Sequence, residues 1–300
     1  MSVPRIRLAP NGPEVSRIAL GLWRLQDWQR NTKQLVALTE QCIELGITTT
    51  DHADIYGDYQ CETLFGAALA AAPGLRHRLE IVSKCGIKLV SPQRPAHRLQ
   101  HYDTSAAHII ASAERSLRNL QTDYLDLLLL HRPDPLMQID QVAAAFEGLR
   151  AAGKVRHFGV SNFTPSQFAM LASRCTLVTN QVEASVLHMS PLDDGTFDQC
   201  QQLQIAPMIW SALAGGRLFS DTGAQANRVR ATLALLAQRH QVSASSIAYA
   251  WLLQLPCNPV LITGSGRLEA LQAAAQASAV RLTREEWFEI WISSAGHGVA

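Results

Sequence analysis

Eight times between Ile18 and Gly266 the chain passes from a short apolar or β-branched run into a polar or glycine position, and helical stretches separate most of these passages. Few architectures accept that alternation, because parallel strands need long crossovers and the intervening segments have the spacing of crossover helices. The runs are Ile18-Ala19-Leu20 into Gly21, Ile47 to Thr50 into Asp51, Leu79 to Ser83 into Lys84, and Leu125 to Leu130 into His131. They continue with Phe158-Gly159-Val160 into Ser161-Asn162, Leu177 to Asn180 into Gln181, Pro207-Met208-Ile209 into Trp210-Ser211, and Val260 to Thr263 into Gly264-Ser265-Gly266. Eight such units in 300 residues predict an α/β chain folded as a (β/α)8 TIM barrel. No linker or low-complexity tract interrupts residues 1–300, so the chain reads as a single domain. An open doubly wound sheet competes, but the first strand-to-helix turn, Gly21-Leu22-Trp23-Arg24, lacks the GxGxxG of dinucleotide-binding sheets.

The helical spacings fill in this plan. Leu35, Leu38, Cys42 and Leu45 mark one apolar face, with Gly46 at the capping position; Leu64, Ala67, Ala68 and Ala71 mark another. Ile109, Ala113, Leu117 and Leu120 follow behind Thr104 as a cap, and Val142, Phe146 and Leu149 precede a stop near Gly153. A short N-terminal β-hairpin is expected around Pro10-Asn11-Gly12-Pro13, with arms Arg5–Leu8 and Ile18–Leu20, unless Ile18–Gly21 opens the main sheet instead. An extra C-terminal helix, Thr283 to Ile292, carries Trp287, Phe288 and Trp291.

Charge excludes some functions. Lys plus Arg number 26 against 25 Asp plus Glu, a net +1, which offers no general field for nucleic acid or an anionic membrane. No apolar run approaches the roughly 20 residues of a membrane span, and MSVPRIRLAP lacks a signal-peptide core, so a cytoplasmic protein is expected. Six scattered cysteines without a CxxC pair argue for free thiols and against a zinc site.

In a barrel, Asp51, Lys84 and His131 end three consecutive strands, and Tyr56 lies in the loop after the first of them, so all four converge on one rim. A free Tyr titrates near ~10 and a free Lys near ~10.4. A cationic Lys84 beside the phenol is expected to lower the Tyr56 pKa, with Asp51 orienting the ammonium, and a neutral His131 can hydrogen-bond a carbonyl oxygen. Taken singly, each residue has a plainer reading: a surface Lys, a helix-capping Asp, a loop-anchoring Tyr, a core His. Their joint placement at successive strand ends favours a site that protonates an oxygen while something else attacks the carbon.

DHADIYG, SKCG, SLRNLQTDYLDLLLLHRPDP and the WSxLxGGRLF-type segment resemble the aldo-keto reductase family, especially its bacterial oxidoreductase branch. The resemblance runs from about Ser16 to Ala279. It implies a barrel enzyme that reduces a small-molecule aldehyde or ketone with NADPH, NADH remaining open. Tyr56 is then the general acid, Lys84 and Asp51 its tuning pair, and His131 the residue that orients the carbonyl. Ser161, Asn162 and Gln181 resemble the contacts to the nicotinamide carboxamide, Trp210 the ring stacked on the nicotinamide, and Trp23 a residue over it. Ser211, Leu213, Gly215, Gly216 and Arg217 resemble the loop over the pyrophosphate. Gly264, Gly266 and Arg267 resemble the adenosine-phosphate segment, with Arg267 set for a 2′-phosphate. Ala270, Ala273 and Ala274 stand where relatives place Arg or Gln, then Glu and Asn, which weakens the NADPH preference. Three rivals are a Schiff-base lyase using Lys84, a redox-sensing or partner subunit with slow turnover, and a metal hydrolase built near His52 and Asp54. Asp51 opposes the first by keeping Lys84 protonated, and no HxH pair ends the first strand to support the last.

Overall fold

The computed structural model describes residues 2–300. In chain order it contains β1 (Arg5–Arg7), β2 (Glu14–Ser16), β3 (Ile18–Gly21), α1 (Thr32–Glu44), β4 (Thr49–Asp51), α2 (Tyr56–Tyr59), α3 (Cys61–Ala71), β5 (Glu80–Cys85), β6 (Ile87–Lys88) and β7 (His101–Tyr102). Then come α4 (Ala106–Leu120), β8 (Leu125–Leu130), α5 (Ile139–Ala151), β9 (Val155–Ser161), α6 (Pro165–Ala172), β10 (Asn180–Glu183), α7 (Thr196–Gln202) and β11 (Met208–Trp210). The chain finishes with α8 (Arg217–Ser220), α9 (Ala224–His240), α10 (Ala244–Leu253), β12 (Val260–Thr263), α11 (Leu268–Ala277) and α12 (Arg284–Ala295).

Strands β3, β4, β5, β8, β9, β10, β11 and β12 close in that order into a parallel (β/α)8 barrel, β12 pairing back onto β3 through Ile262 and Ala19. Every residue of β8, Leu-Asp-Leu-Leu-Leu-Leu, is buried, as expected of a strand covered by side chains on one face and helices on the other. The helices come close: a Cβ on Gly66 of α3 would overlap the Asn119 carbonyl of α4. The α1 face of Leu35, Leu38 and Cys42 is buried and Gly46 stops that helix at φ 81°. The predicted α4 face is also buried, at Ile109, Ala113, Leu117 and Leu120.

The structure decides between or changes four details of the sequence reading. The hairpin pairs β1 with β2, Ile6 facing Val15, and Ile18–Gly21 belongs to the barrel. The sixth barrel strand is Asn180–Glu183, so the expected Leu177 to Asn180 run overlaps it only at Asn180; Gln181 points inward to Asp51, while Asn180, on the opposite face, exchanges hydrogen bonds with the Phe163 backbone. The buried face of α3 is Cys61, Phe65, Ala68 and Leu69, while Leu64 is exposed: left-handed Gly57, Asp58 and Tyr59 set the helix phase so that the larger Phe65 takes the core position. Ser105 caps α4, accepting from the His108 N–H, whereas the Thr104 hydroxyl donates to Asp134 at 2.8 Å. The 87–103 segment contains the antiparallel pair β6–β7, Ile87 facing Tyr102.

The C-terminal helix α12 begins with a capping box between Thr283 and Glu286. It locks onto α10 by reciprocal bonds: the Trp251 indole N–H donates to the Trp287 carbonyl at 3.1 Å, and the Trp287 N–H to the Trp251 carbonyl at 3.0 Å, with the rings stacked 4.8 Å apart.

Candidate active site

Asp51 is the last residue of β4, Lys84 lies one residue before the end of β5, and His131 directly follows β8, which sets all three at one barrel mouth. Lys84 is completely buried. Its ammonium donates to Asp51 Oδ2 at 2.8 Å, to the His52 carbonyl at 2.7 Å and to the Tyr56 hydroxyl at 2.9 Å. All three donors of the ammonium are therefore engaged, and the phenolic oxygen is an acceptor toward Lys84. The Tyr56 and His131 rings meet edge to face at 5.8 Å. Gln181 joins the same cluster, its Nε2 donating to Asp51 Oδ1 at 2.8 Å.

Burial opposes the Lys84 charge, but Asp51 and Tyr56, through charge and hydrogen bonds, hold the ammonium above its ordinary range. Burial is also the largest influence on Tyr56 and raises its pKa, with Asp51 pushing the same way, despite the opposing charge and hydrogen bond of Lys84. That corrects the expected lowering: the cation offsets the desolvation of the phenolate without exceeding it. His131 is held well below its ordinary value by burial, then by Lys84 and Arg132, so the ring is neutral. Its Nδ1 is buried and unpartnered. His52 packs against Phe65, ring centroids 4.8 Å apart, and burial followed by the Lys84 charge lowers it to about 3.

Ser161, Asn162 and Trp210 form a second chain of contacts on the same mouth. The Ser161 hydroxyl donates to the Gln181 carbonyl at 2.9 Å, Asn162 Nδ2 donates to Ser161 Oγ at 2.7 Å, and the Trp210 N–H donates to Asn162 Oδ1 at 3.1 Å. Beyond Trp210 the backbone turns through left-handed Ser211, Ala214, Gly215 and Gly216, at φ 53°, 53°, 65° and 99°. Leu213 is half-buried in that turn and Arg217 exposed at its end. A Cβ at Gly216 or Gly264 would meet open space, leaving room for a ligand beside the backbone at both places. Gly266 is different: a Cβ there would strike the Trp28 ring at 2.5 Å, so its bareness serves packing. Arg267 is exposed ahead of α11, Ala270 and Ala273 are partly covered, and Ala274 is fully buried.

The model of the Aldo/keto reductase family matches residues 17–293. This chain belongs to the aldo/keto reductase family. It is 54% identical over 300 residues to Oxidoreductase YdhF of Escherichia coli, covering 99% of both chains, and 43% identical over 290 residues to a 6-dehydroglucose reductase of Agrobacterium fabrum, covering 96% of this chain and 97% of the relative. Among solved structures, a thermostable aldo-keto reductase in complex with the inhibitor epalrestat superposes with a TM-score of 0.80 at 29% identity, covering 97% of this chain and 99% of the other. The protein is thus an oxidoreductase of a family that works with nicotinamide cofactors.

Several residues of this aldo-keto reductase that shape the mouth carry no sequence signal. Arg24 and Arg30, both in the loop after β3, reach across it: Arg24 donates to the Gly215 carbonyl at 3.1 Å and Arg30 to the Gly266 carbonyl at 2.6 Å. Arg132, next to His131, places its guanidinium 5.5 Å from the Trp210 ring centroid. Trp23 is 57% exposed, with Arg24 stacked at 5.3 Å.

Proposed function

We propose that the whole chain acts as one catalytic domain that reduces an aldehyde or ketone to an alcohol with NADPH, Tyr56 supplying the proton. The observation that carries this reading is the triple engagement of the Lys84 ammonium, which fixes the Tyr56 oxygen as an acceptor and leaves its hydrogen directed to another partner. Because Tyr56 stays protonated, the donor is fully loaded at neutral pH, and Lys84 lies ready to stabilise the phenolate left after transfer. Neutral His131 can donate one N–H to the substrate oxygen, positioning it against Tyr56. A protonated Lys84 is a poor amine nucleophile, which disfavours Schiff-base chemistry.

The residues present fit a dinucleotide. Trp210 offers an aromatic face, Ser161 and Asn162 a pre-tied polar edge, and the open backbone at Gly216 and Gly264 two places of close approach. When bound, the cofactor supplies the hydride. Arg267, exposed beside that path, suits a 2′-phosphate by charge and fork geometry.

For the substrate we favour a polyhydroxylated, sugar-like aldehyde. Two relatives, 43% and 36% identical, are 6-dehydroglucose reductases. A cavity of about 410 Å³ beside Asn162 and Trp210 is lined by Arg132, Glu183, His188 and Asp194 but not by Tyr56 or His131, so it adjoins the reacting groups without containing them, and the sugar reading rests on the relatives. The test is loss of NADPH absorbance with sugar aldehydes, simple aldehydes, ketones and quinones, wild type against Tyr56→Phe. Turnover that drops about 10²–10⁴-fold in the variant, with cofactor binding retained, supports the proton donor; undiminished turnover rejects it.

A further inference from the structure

The turn that bears Tyr56 has a second polar side, which the catalytic cluster does not use. Asp54 donates its backbone N–H to the Lys84 carbonyl at 3.0 Å and is 4% exposed, yet neither carboxyl oxygen accepts a hydrogen bond from the chain. Along β5, Ser83 and Cys85 alternate with Lys84 and so face the helices while Lys84 faces the barrel mouth. There Ser83 donates to Glu62 of α3 at 2.7 Å, and Asn119 of α4 donates to the other Glu62 oxygen at 3.3 Å. Asp54 and Glu62 are both buried, the Glu62 charge acts on Asp54, and among the described residues neither forms an ion pair. Arg115 of α4 is close enough to act on both, but its guanidinium donates to Ser112 Oγ at 2.9 Å.

A buried carboxylate with no cation and no hydrogen bond is costly enough that the group takes a proton instead, and two buried carboxyls whose charges act on each other resist ionising together. Glu62 has two donors and is the better placed to carry the charge. We propose that Asp54 works as a neutral carboxylic acid, and that its ionisation on the alkaline side loosens the Ala53–Tyr56 turn and draws the Tyr56 hydroxyl away from Lys84. Asp54 is thereby a positioning residue, and the inference rests on the reading of Tyr56 as proton donor. The backbone supplies the coupling: Tyr56 N–H donates to the Ala53 carbonyl at 3.1 Å, and Asp54 is stitched to the residue whose ammonium holds the phenol.

The electrostatics agree. Burial first, then the Glu62 charge, push the Asp54 carboxyl up to about 8, with Arg115 pulling weakly the other way; Ser112 and the Ile55 amide favour the charged form without reaching hydrogen-bond geometry. The other groups nearby stay uncharged: burial raises Tyr59 of α2 and Cys85 of β5 and lowers His108 of α4 to about 4.

The experiment is the pH profile of kcat at saturating NADPH for wild type, Asp54→Asn and Glu62→Gln, with infrared difference spectra of wild type minus Asp54→Asn at neutral pH. Wild type should lose turnover about tenfold per pH unit above the Asp54 ionisation, while Asp54→Asn keeps its neutral-pH turnover and lacks that limb. Glu62→Gln, with one fewer negative neighbour, should move the limb to lower pH. The difference spectrum should contain the carbonyl stretch of a protonated acid. Superimposed profiles for wild type and Asp54→Asn, an unmoved limb in Glu62→Gln, or absence of the stretch would each overturn the proposal. If no form turns over at any pH, the Tyr56 reading fails and the coupling with it, and the infrared band still reports the Asp54 proton separately.

Discussion

At Asp51, Lys84, Tyr56 and Gln181 the polar contacts run mostly from side chain to side chain inside a buried cluster, whereas from Ser211 to Arg217 and from Gly264 to Arg267 they run mostly to backbone, in exposed loops. The first region fixes atoms to within a hydrogen bond before any ligand arrives. The second is loop backbone, left-handed at Ser211 and from Ala214 to Gly216, clasped by two arginines from the loop after β3. Chemistry needs the rigid arrangement, since a general acid must meet its partner at bonding distance. Admitting a dinucleotide along a loop needs the other, since the Arg24 and Arg30 contacts can part without disturbing the core.

The largest effect that would test this contrast is in the buried cluster. Lys84→Met removes the cation paired with Asp51 and leaves a buried charge, so unfolding free energy should fall by about 3–5 kcal/mol, read by denaturant titration. A variant as stable as wild type would show that the cluster is not interlocked. Next comes acid sensitivity. An unfolded chain protonates His52 and His131 near their ordinary value of about 6.5, but folded His52 resists until about 3 and His131 is likewise depressed. The unfolded state therefore binds more protons across that window, and stability should drop as pH falls from about 6.5 toward 3; thermal melts across the range check it. The smallest effect belongs to the exposed rim. Arg267→Ala should weaken NADPH binding about tenfold or more through one lost charge-assisted contact, leave NADH binding and the melting temperature unchanged, and so narrow the gap between cofactors in a fluorescence titration. Equal weakening of both cofactors would place Arg267 elsewhere than at the 2′-phosphate.

The same division explains what could be read in advance. Asp51, Lys84 and His131 stand out because each interrupts or ends an apolar strand at a depth where a charge needs a purpose. The sixth strand reads too early because Asn180 and Gln181 are polar yet buried, each satisfied by a partner that the sequence does not display, so the apolar residues ahead of them look like its body. The phase of α3 was misread because a short helix rich in alanine has a weak pattern, and the left-handed turn ahead of it decides which side faces inward. Arg24 and Arg30 were invisible for another reason: their partners are carbonyl oxygens 191 and 236 residues away, and a carbonyl has no letter in a sequence.

The two indoles that fasten α12 to α10 also give the molecule an optical handle. Stacked tryptophans whose N–H groups are both satisfied by each other's carbonyls sit in an environment unlike that of the exposed Trp23. Detachment of the final helix would expose both chromophores to water at once and shift tryptophan emission to the red, alongside the signals of the other four indoles.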